Sequence, residues 1–249
     1  MKIGFLITAR LKSTRLPKKL LLDVNGKEII RHMINRLKEA EILDEIIICT
    51  STNPQDQKLV QIAQEENIQC FLGDEDDVIS RLYEASIKFN LDYALNITAD
   101  CPLVSFEYID IIIDKYKETK ADLIRCFDLP HGFYLYGIDI SAMKKVCAIK
   151  KGNNTEVWGR YFTDTGLFNV VDLEIPSELQ RENYRLTLDY PEDFEMLKCI
   201  YAHFGERTYK TPTTDLIHYL DQNPDVVKIN IDCEDIYRKR FESQNKLEI

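Results

Sequence analysis

Arg10, Lys12, Arg15, Lys18 and Lys19 place five cations within ten residues, with the hydroxyls of Ser13 and Thr14 among them and Pro17 stiffening the run. Guanidinium and ammonium groups at that density suit a polyanion such as a triphosphate. The whole chain carries a formal charge of −10, so this loop is a local departure from the average. Taken alone, a charge run is more often a solvated surface. Its position argues otherwise. It follows Ile3-Gly4-Phe5-Leu6-Ile7, a short apolar segment that reads as a buried strand. It precedes an Asn25-Gly26 turn and an amphipathic helix over about 27–40. Loops at the carboxyl ends of strands are where open parallel sheets hold their ligands.

Two aspartates recur at expected strand ends, Asp100 after the fourth strand and Asp189 after a late one. Lone carboxylates facing a cationic phosphate loop suit Mg²⁺, which takes few protein ligands and keeps phosphate oxygens and water. The simpler reading of each is a helix cap. The acidic run Asp74-Glu75-Asp76-Asp77 has the look of a D-x-D metal motif, but it equally suits the first turn of a helix. His131, beside Gly132, is a candidate substrate contact. The sequence contains neither G-x-x-x-x-G-K-[ST] nor G-x-G-x-x-G.

Composition narrows the class. A chain of 249 residues, 45% hydrophobic, is long enough to bury the core of one large domain. The acidic excess argues against nucleic acid as a partner. No stretch approaches the length of a membrane span or a signal peptide, so no membrane partner is expected. The seven cysteines are scattered singly, which reads as reduced thiols in a cytoplasmic protein.

The elements that must position these residues follow in order. Strands are expected at 46–50, 68–72, 92–97 and 122–126, alternating with helices at 55–67, 78–89 and 106–117. That rhythm predicts right-handed crossovers and a three-layer α/β fold with a mostly parallel sheet. Residues 128–182 read as a less regular aromatic excursion within a single domain spanning 1–249, whose aromatic density suits a lid core or a dimer surface; the resemblance described below adds sugar binding as its expected use. It holds a strand over 133–140 and a helix over 141–148 capped by Ser141. A strand at 184–188, a helix at 191–203, a helix at 213–221, a strand-like piece at 226–231 and a charged tail complete the chain.

The pattern A-R-x-x-S-x-R-L-P-x-K, satisfied by Ala9, Arg10, Ser13, Arg15, Leu16, Pro17 and Lys19, resembles the nucleotide-binding signature of the sugar cytidylyltransferases. These include the CMP-Kdo and CMP-acylneuraminate synthetases, and the spore coat polysaccharide biosynthesis protein F branch is the nearer likeness. The resemblance extends to Gly73 through Val78 with Arg81, to Thr98-Ala99-Asp100-Cys101-Pro102-Leu103, and to Arg185 through Asp193. It implies a nucleotide-diphospho-sugar transferase (Rossmann-like) fold, usually dimeric, using CTP and Mg²⁺ to activate an acidic sugar or sugar phosphate. By position, Arg10, Ser13, Arg15 and Lys19 would hold the triphosphate, with Ala9 and Arg81 in the same nucleotide-binding motifs. Asp74 and Asp76 would border the base, and Asp100 and Asp189 would hold the metal. Lys12 and Lys18 stand where many members have glycine, which implies a stiffer and more cationic loop. The alternatives are a glycosyltransferase of the same overall fold using residues 74–77 for its metal, and a non-catalytic nucleotide-binding paralogue.

Overall fold

The computed structural model describes residues 1–244, so residues 245–249 of the expected charged tail lie outside the described residues. Strand β1 (Ile3–Thr8) leads into the basic loop, followed by the small hairpin β2 (Asp23–Val24) and β3 (Lys27–Glu28). Helix α1 (Ile29–Leu37), strand β4 (Glu45–Ser51), helix α2 (Gln57–Glu65), strand β5 (Gln69–Gly73) and helix α3 (Val78–Lys88) come next. Then come strand β6 (Tyr93–Thr98), helix α4 (Glu107–Thr119), strands β7 (Leu123–Arg125) and β8 (Tyr136–Asp139), and helices α5 (Ile140–Ile149) and α6 (Gly159–Thr163). Strand β9 (Val170–Asp172) and helices α7 (Pro191–Phe204), α8 (Thr213–Gln222), α9 (Pro224–Val227) and α10 (Cys233–Gln244) complete the described chain.

Among the described residues the strands form a seven-stranded sheet in the order β5-β4-β1-β6-β8-β7-β9. Pairs β4–β5, β1–β4, β1–β6 and β7–β9 are parallel, whereas β8 runs antiparallel between β6 and β7. The mostly parallel three-layer α/β fold expected from the sequence is therefore present. The alternation of β1 explains the layers. Phe5 and Ile7 point into the core under α1, α2, α4 and α7, while Leu6 joins the opposite core with Ile79 and Leu82 of α3 and Met143 of α5. In α1 the apolar positions Ile29, Ile30, Met33, Ile34 and Leu37 fall on one helical face, and all are buried.

The antiparallel β8 departs from the simple β-α-β rhythm. No helix separates it from β7, so the chain returns directly through the turn cluster at 128–132. Gly137 lets β8 pass close to the core, because a Cβ there would stand 2.3 Å from both the Tyr93 hydroxyl and Ile112. The segment 128–182 thus contributes β8 and β9 to the main sheet and packs α5 against α3.

Three local expectations are corrected. Residues 184–188 form no strand, only an isolated bridge between His131 and Arg185. Their backbone pairs with loops instead, Leu186 N with His131 O at 2.6 Å and Leu188 N with Asp100 O at 2.8 Å. Residues 226–230 are helical rather than extended, and Ile231 lies in a turn: Pro224 opens α9, and a short 3-10 turn continues it through Asn230. The cap of α5 is Asp139, whose carboxylate accepts from the backbone N–H groups of Ser141 (2.8 Å) and Ala142 (3.2 Å). A carboxylate three positions before Ala142 outcompetes the Ser141 hydroxyl, which itself donates to Asp139. No helix of the described residues is long and apolar enough to cross a membrane.

Candidate active site

At the carboxyl ends of β1 and β6 a cavity of about 680 Å³ opens into the loops above the sheet. Among its described lining residues are seven lysines and arginines against four aspartates and glutamates, the reverse of the chain's overall acidity. A cavity lined this way concentrates anions.

The basic loop is pinned at both ends. Ala9 N–H donates to the Cys49 carbonyl at 3.1 Å, and Leu11 N–H donates to Asp56 at 2.8 Å. Asp56 is itself buried and takes a hydrogen bond from Ser51 at 2.5 Å. Lys18 adopts a left-handed backbone (φ 52°), after which Leu20 enters the core. That turn directs Lys19 inward. Only 9% exposed, its ammonium donates to Asp100 Oδ2 at 2.5 Å and to Asp189 Oδ1 at 2.8 Å.

These groups fix one another's protonation. Burial alone would lower the Lys19 pKa, but the two carboxylates more than offset it and raise it above the ordinary value. Burial would raise the Asp100 pKa, yet Lys19 and the Thr98 hydroxyl hold it down to about 2. Asp189 is surrounded more closely still. Its Oδ1 accepts from Lys19 and from Arg15, and its Oδ2 accepts from buried Arg185 at 2.8 Å. Thr98 donates to Asp100 Oδ1 at 2.5 Å, completing that carboxylate.

Arg10 reaches the other wall, donating to the Glu75 carbonyl (2.7 Å) and Asp76 (3.3 Å) and pairing with Glu156. Ser13, Arg15, Asp76, Asp100 and Asp189 line the cavity with Arg10 and Lys19. Ala9, Asp74 and Arg81, named from the sequence as nucleotide-binding positions, are not among its lining residues. Arg81 is fully buried beneath the 74–77 loop and donates to the carbonyls of Asp74 and Glu75. Its burial lowers its pKa. Its place is as a support under the loop that meets Arg10.

The acidic run 74–77 does not converge on a common point. Asp74 accepts from the backbone of Asp76 (2.9 Å) and Asp77 (2.8 Å), while Asp77 caps α3 and pairs with Lys150 at 2.5 Å. The D-x-D reading needs Asp74 and Asp76 turned to one point, whereas Asp74 is folded back onto the backbone of its own turn. Among the described residues there is also no cluster of three or more acidic, histidine or cysteine side chains placed to hold a metal. Asp100 and Asp189, by contrast, lie within hydrogen-bonding reach of one ammonium at the cavity rim. Two hard oxygen donors beside a basic loop fit Mg²⁺ when substrate oxygens and water supply the remaining ligands.

On the far side the cavity is walled by Arg125, Phe127, Tyr134, Tyr136 and Trp158. Phe127 meets Tyr134 and Tyr136 edge-on at 5.1 and 5.6 Å, and Tyr136 meets Trp158 at 5.1 Å. Arg125 is held by Asp172 through two bonds of 2.6 and 2.7 Å. His131 also lines the cavity, with Nδ1 2.9 Å from Glu234. Sequence reasoning missed α10, whose Tyr237 and Arg240 reach the same cavity. Its only trace in the sequence is the spacing of Glu234, Tyr237 and Arg240 at three-residue intervals, one side of a helix.

A family model described as cytidylyltransferase matches residues 5–222. An uncharacterized protein of Methanocaldococcus jannaschii is 32% identical, over 92% of this chain and 95% of that one. The spore coat polysaccharide biosynthesis protein SpsF of Bacillus subtilis is 26% identical, over 90% of this chain and 95% of its own length. The solved structure of a cytidylyltransferase from Leptospira borgpetersenii superposes with a TM-score of 0.84 at 27% identity, covering 91% of this chain and 97% of that one.

Proposed function

We propose, because this chain belongs to the cytidylyltransferase family, that it joins CTP to an acidic sugar or sugar phosphate, giving a CMP- or CDP-linked product and pyrophosphate. The observation that carries this reading is the charge cluster of Asp100, Lys19, Asp189 and Arg15 at the mouth of β1 and β6. It offers cations for a triphosphate and two carboxylates for Mg²⁺ at one place.

In this reading an acceptor oxygen attacks the α-phosphorus in line, and the bond to the pyrophosphate oxygen breaks. Arg10, Arg15 and Lys19 neutralise the charge gathering on the leaving pyrophosphate, and Ser13 adds a hydroxyl donor. Lys19 and Arg15 are balanced by Asp100 and Asp189, so phosphate oxygens would enter by exchanging partners rather than by pairing bare charges. Mg²⁺ held by Asp100 and Asp189 would supply charge compensation at the phosphates. Catalysis by positioning and electrostatics needs no covalent enzyme intermediate.

The acceptor is assigned to the aromatic half of the cavity, lined by Tyr134, Tyr136 and Trp158 of the 128–182 segment and by the cation of Arg125 just ahead of it. Anionic sugars match that lining. A role in surface polysaccharide synthesis is supported by the likeness to SpsF. The same segment is our proposed dimer surface. The seven free thiols support a cytoplasmic setting.

Thermal melts with CTP, UTP, GTP, ATP, CMP and CDP, with and without Mg²⁺, test the reading, since a ligand that binds the folded chain raises Tm by mass action. A rise selective for CTP with Mg²⁺, followed by pyrophosphate release on adding acidic sugars, is expected. A response to sugar nucleotides with none to any triphosphate would overturn it.

A further inference from the structure

The family match ends at residue 222, yet α10, beyond it, is joined to the active site by an unbroken run of charge. Arg185 Nη1 donates to Glu234 Oε2 at 2.6 Å, and Arg185 Nη2 donates to Asp189 Oδ2 at 2.8 Å. Lys19 then bridges Asp189 to Asp100. Charges alternate along Glu234, Arg185, Asp189, Lys19 and Asp100. Arg185 is 1% exposed, so solvent does not complete its guanidinium and each N–H must find a protein acceptor.

We infer that Glu234 is a positioning residue for the Asp100–Asp189 pair, acting through Arg185. By taking Nη1, Glu234 restricts arginine to one oxygen of Asp189, Oδ2, and leaves Oδ1 to Lys19 and Arg15 of the basic loop. Without Glu234 the full guanidinium charge falls on Asp189 and Asp193, and Asp189 becomes a poorer ligand for a divalent cation. The inference rests on the reading of Asp100 and Asp189 given above.

The surroundings are built for this. Asp193 takes Arg185 Nε at 3.1 Å. Asn230, just ahead of α10, donates to the Arg185 carbonyl at 2.9 Å and to Asp193 at 2.8 Å, which seats the helix start against Arg185. Arg238 occupies the other oxygen of Glu234 at 3.0 Å, leaving Oε2 for Arg185 and His131. Burial would raise the Glu234 pKa, but His131 and the two arginines hold it down to about 2, so the carboxylate is charged at neutral pH. The Tyr237 ring lies over Arg185 at 5.0 Å and excludes water from the same guanidinium.

The test uses the full chain and follows the CTP-induced rise in Tm across a magnesium titration and again in chelator. For Glu234→Gln the magnesium midpoint is expected to rise by about tenfold, as for other residues that hold a metal ligand in place. The CTP response in chelator should not change. At saturating magnesium kcat should fall while the KM for CTP holds. Glu234→Asp keeps the charge and should show a smaller displacement, and it carries the test if the glutamine variant fails to fold. A purely structural role would lower the ligand-free Tm and leave the magnesium midpoint where it is. Equal midpoints in wild type and both variants overturn the inference. If wild-type stabilisation by CTP does not depend on magnesium, the reading of Asp100 and Asp189 falls, and the inference with it. That failure appears in the wild type alone, so the two are distinguishable.

Discussion

Replacing Asp100 by asparagine tests both the duty the structure shows for it, holding Lys19, and the one proposed for it, serving the phosphates. The carboxyl is held at about 2 against an ordinary value of 3.8. A depression of that size corresponds to about 2 kcal/mol of native-state stability at neutral pH. Because the folded pKa is the lower one, this stability is fully present above the unfolded value of 3.8. It is lost as pH falls from there toward about 2. Asp100→Asn should therefore melt roughly 4–8 °C below wild type at pH 7, a range set by the size of the chain. The gap should close as pH drops below about 4, where the wild-type carboxylate takes up its proton. Turnover should fall by about 10²–10³, the usual cost of removing one preorganised charge at a transition state. Paired melts from pH 7 to pH 3 and a pyrophosphate-release assay measure the two effects. A stability gap independent of pH would refute the ion-pair argument, and turnover within about threefold of wild type, in a folded variant, would refute the catalytic one.

Glu156 pairs with Arg10 at an exposed position of the cavity wall, and under the proposed function it competes with incoming phosphate. Glu156→Gln is expected to tighten CTP binding by about threefold in calorimetric titration, a small effect because the pair is solvated. An unchanged or weakened affinity would show that Glu156 does not compete for Arg10. Gly132 has φ +107°, and a Cβ there would stand 2.4 Å from the backbone carbon of Leu186, beside the His131–Arg185 bridge. Gly132→Ala should cost at least about 3 kcal/mol in urea unfolding, since backbone rather than a flexible side chain blocks it. Wild-type stability in that variant would mean the loop relocates freely.

The basic loop and Asp100 were legible because each depends on local pattern. A short apolar strand announces a buried β1, and whatever follows it must emerge at the carboxyl edge. The same logic places Thr98 and Asp100 at the end of β6, which pairs with β1 in register, Thr8 opposite Thr98. The apolar spacing of α1 and α3 likewise fixed which faces are buried. Asp189 was found for a reason the structure does not share: it follows no strand, but an irregular segment tied to the loops by Leu186 and Leu188.

Other features came only from the tertiary structure. Lys19 meets Asp189 across 170 positions of sequence. Arg10 meets Glu156 across 146, and Arg185 meets Glu234 across 49. Hydrophobic periodicity tells which side of an element turns inward, because that side must leave water. It carries no information about which distant charges will share a cavity once the elements pack. The sequence by itself determined the parallel strands on either side of β1, the layers that cover them and the edge that carries the basic loop. Packing decided that Arg81 supports the 74–77 loop from below, that Asp74 and Asp77 are spent on a turn and a cap, and that α10 lines the cavity. The reason is that a buried ion finds its partner among whatever the fold brings within reach.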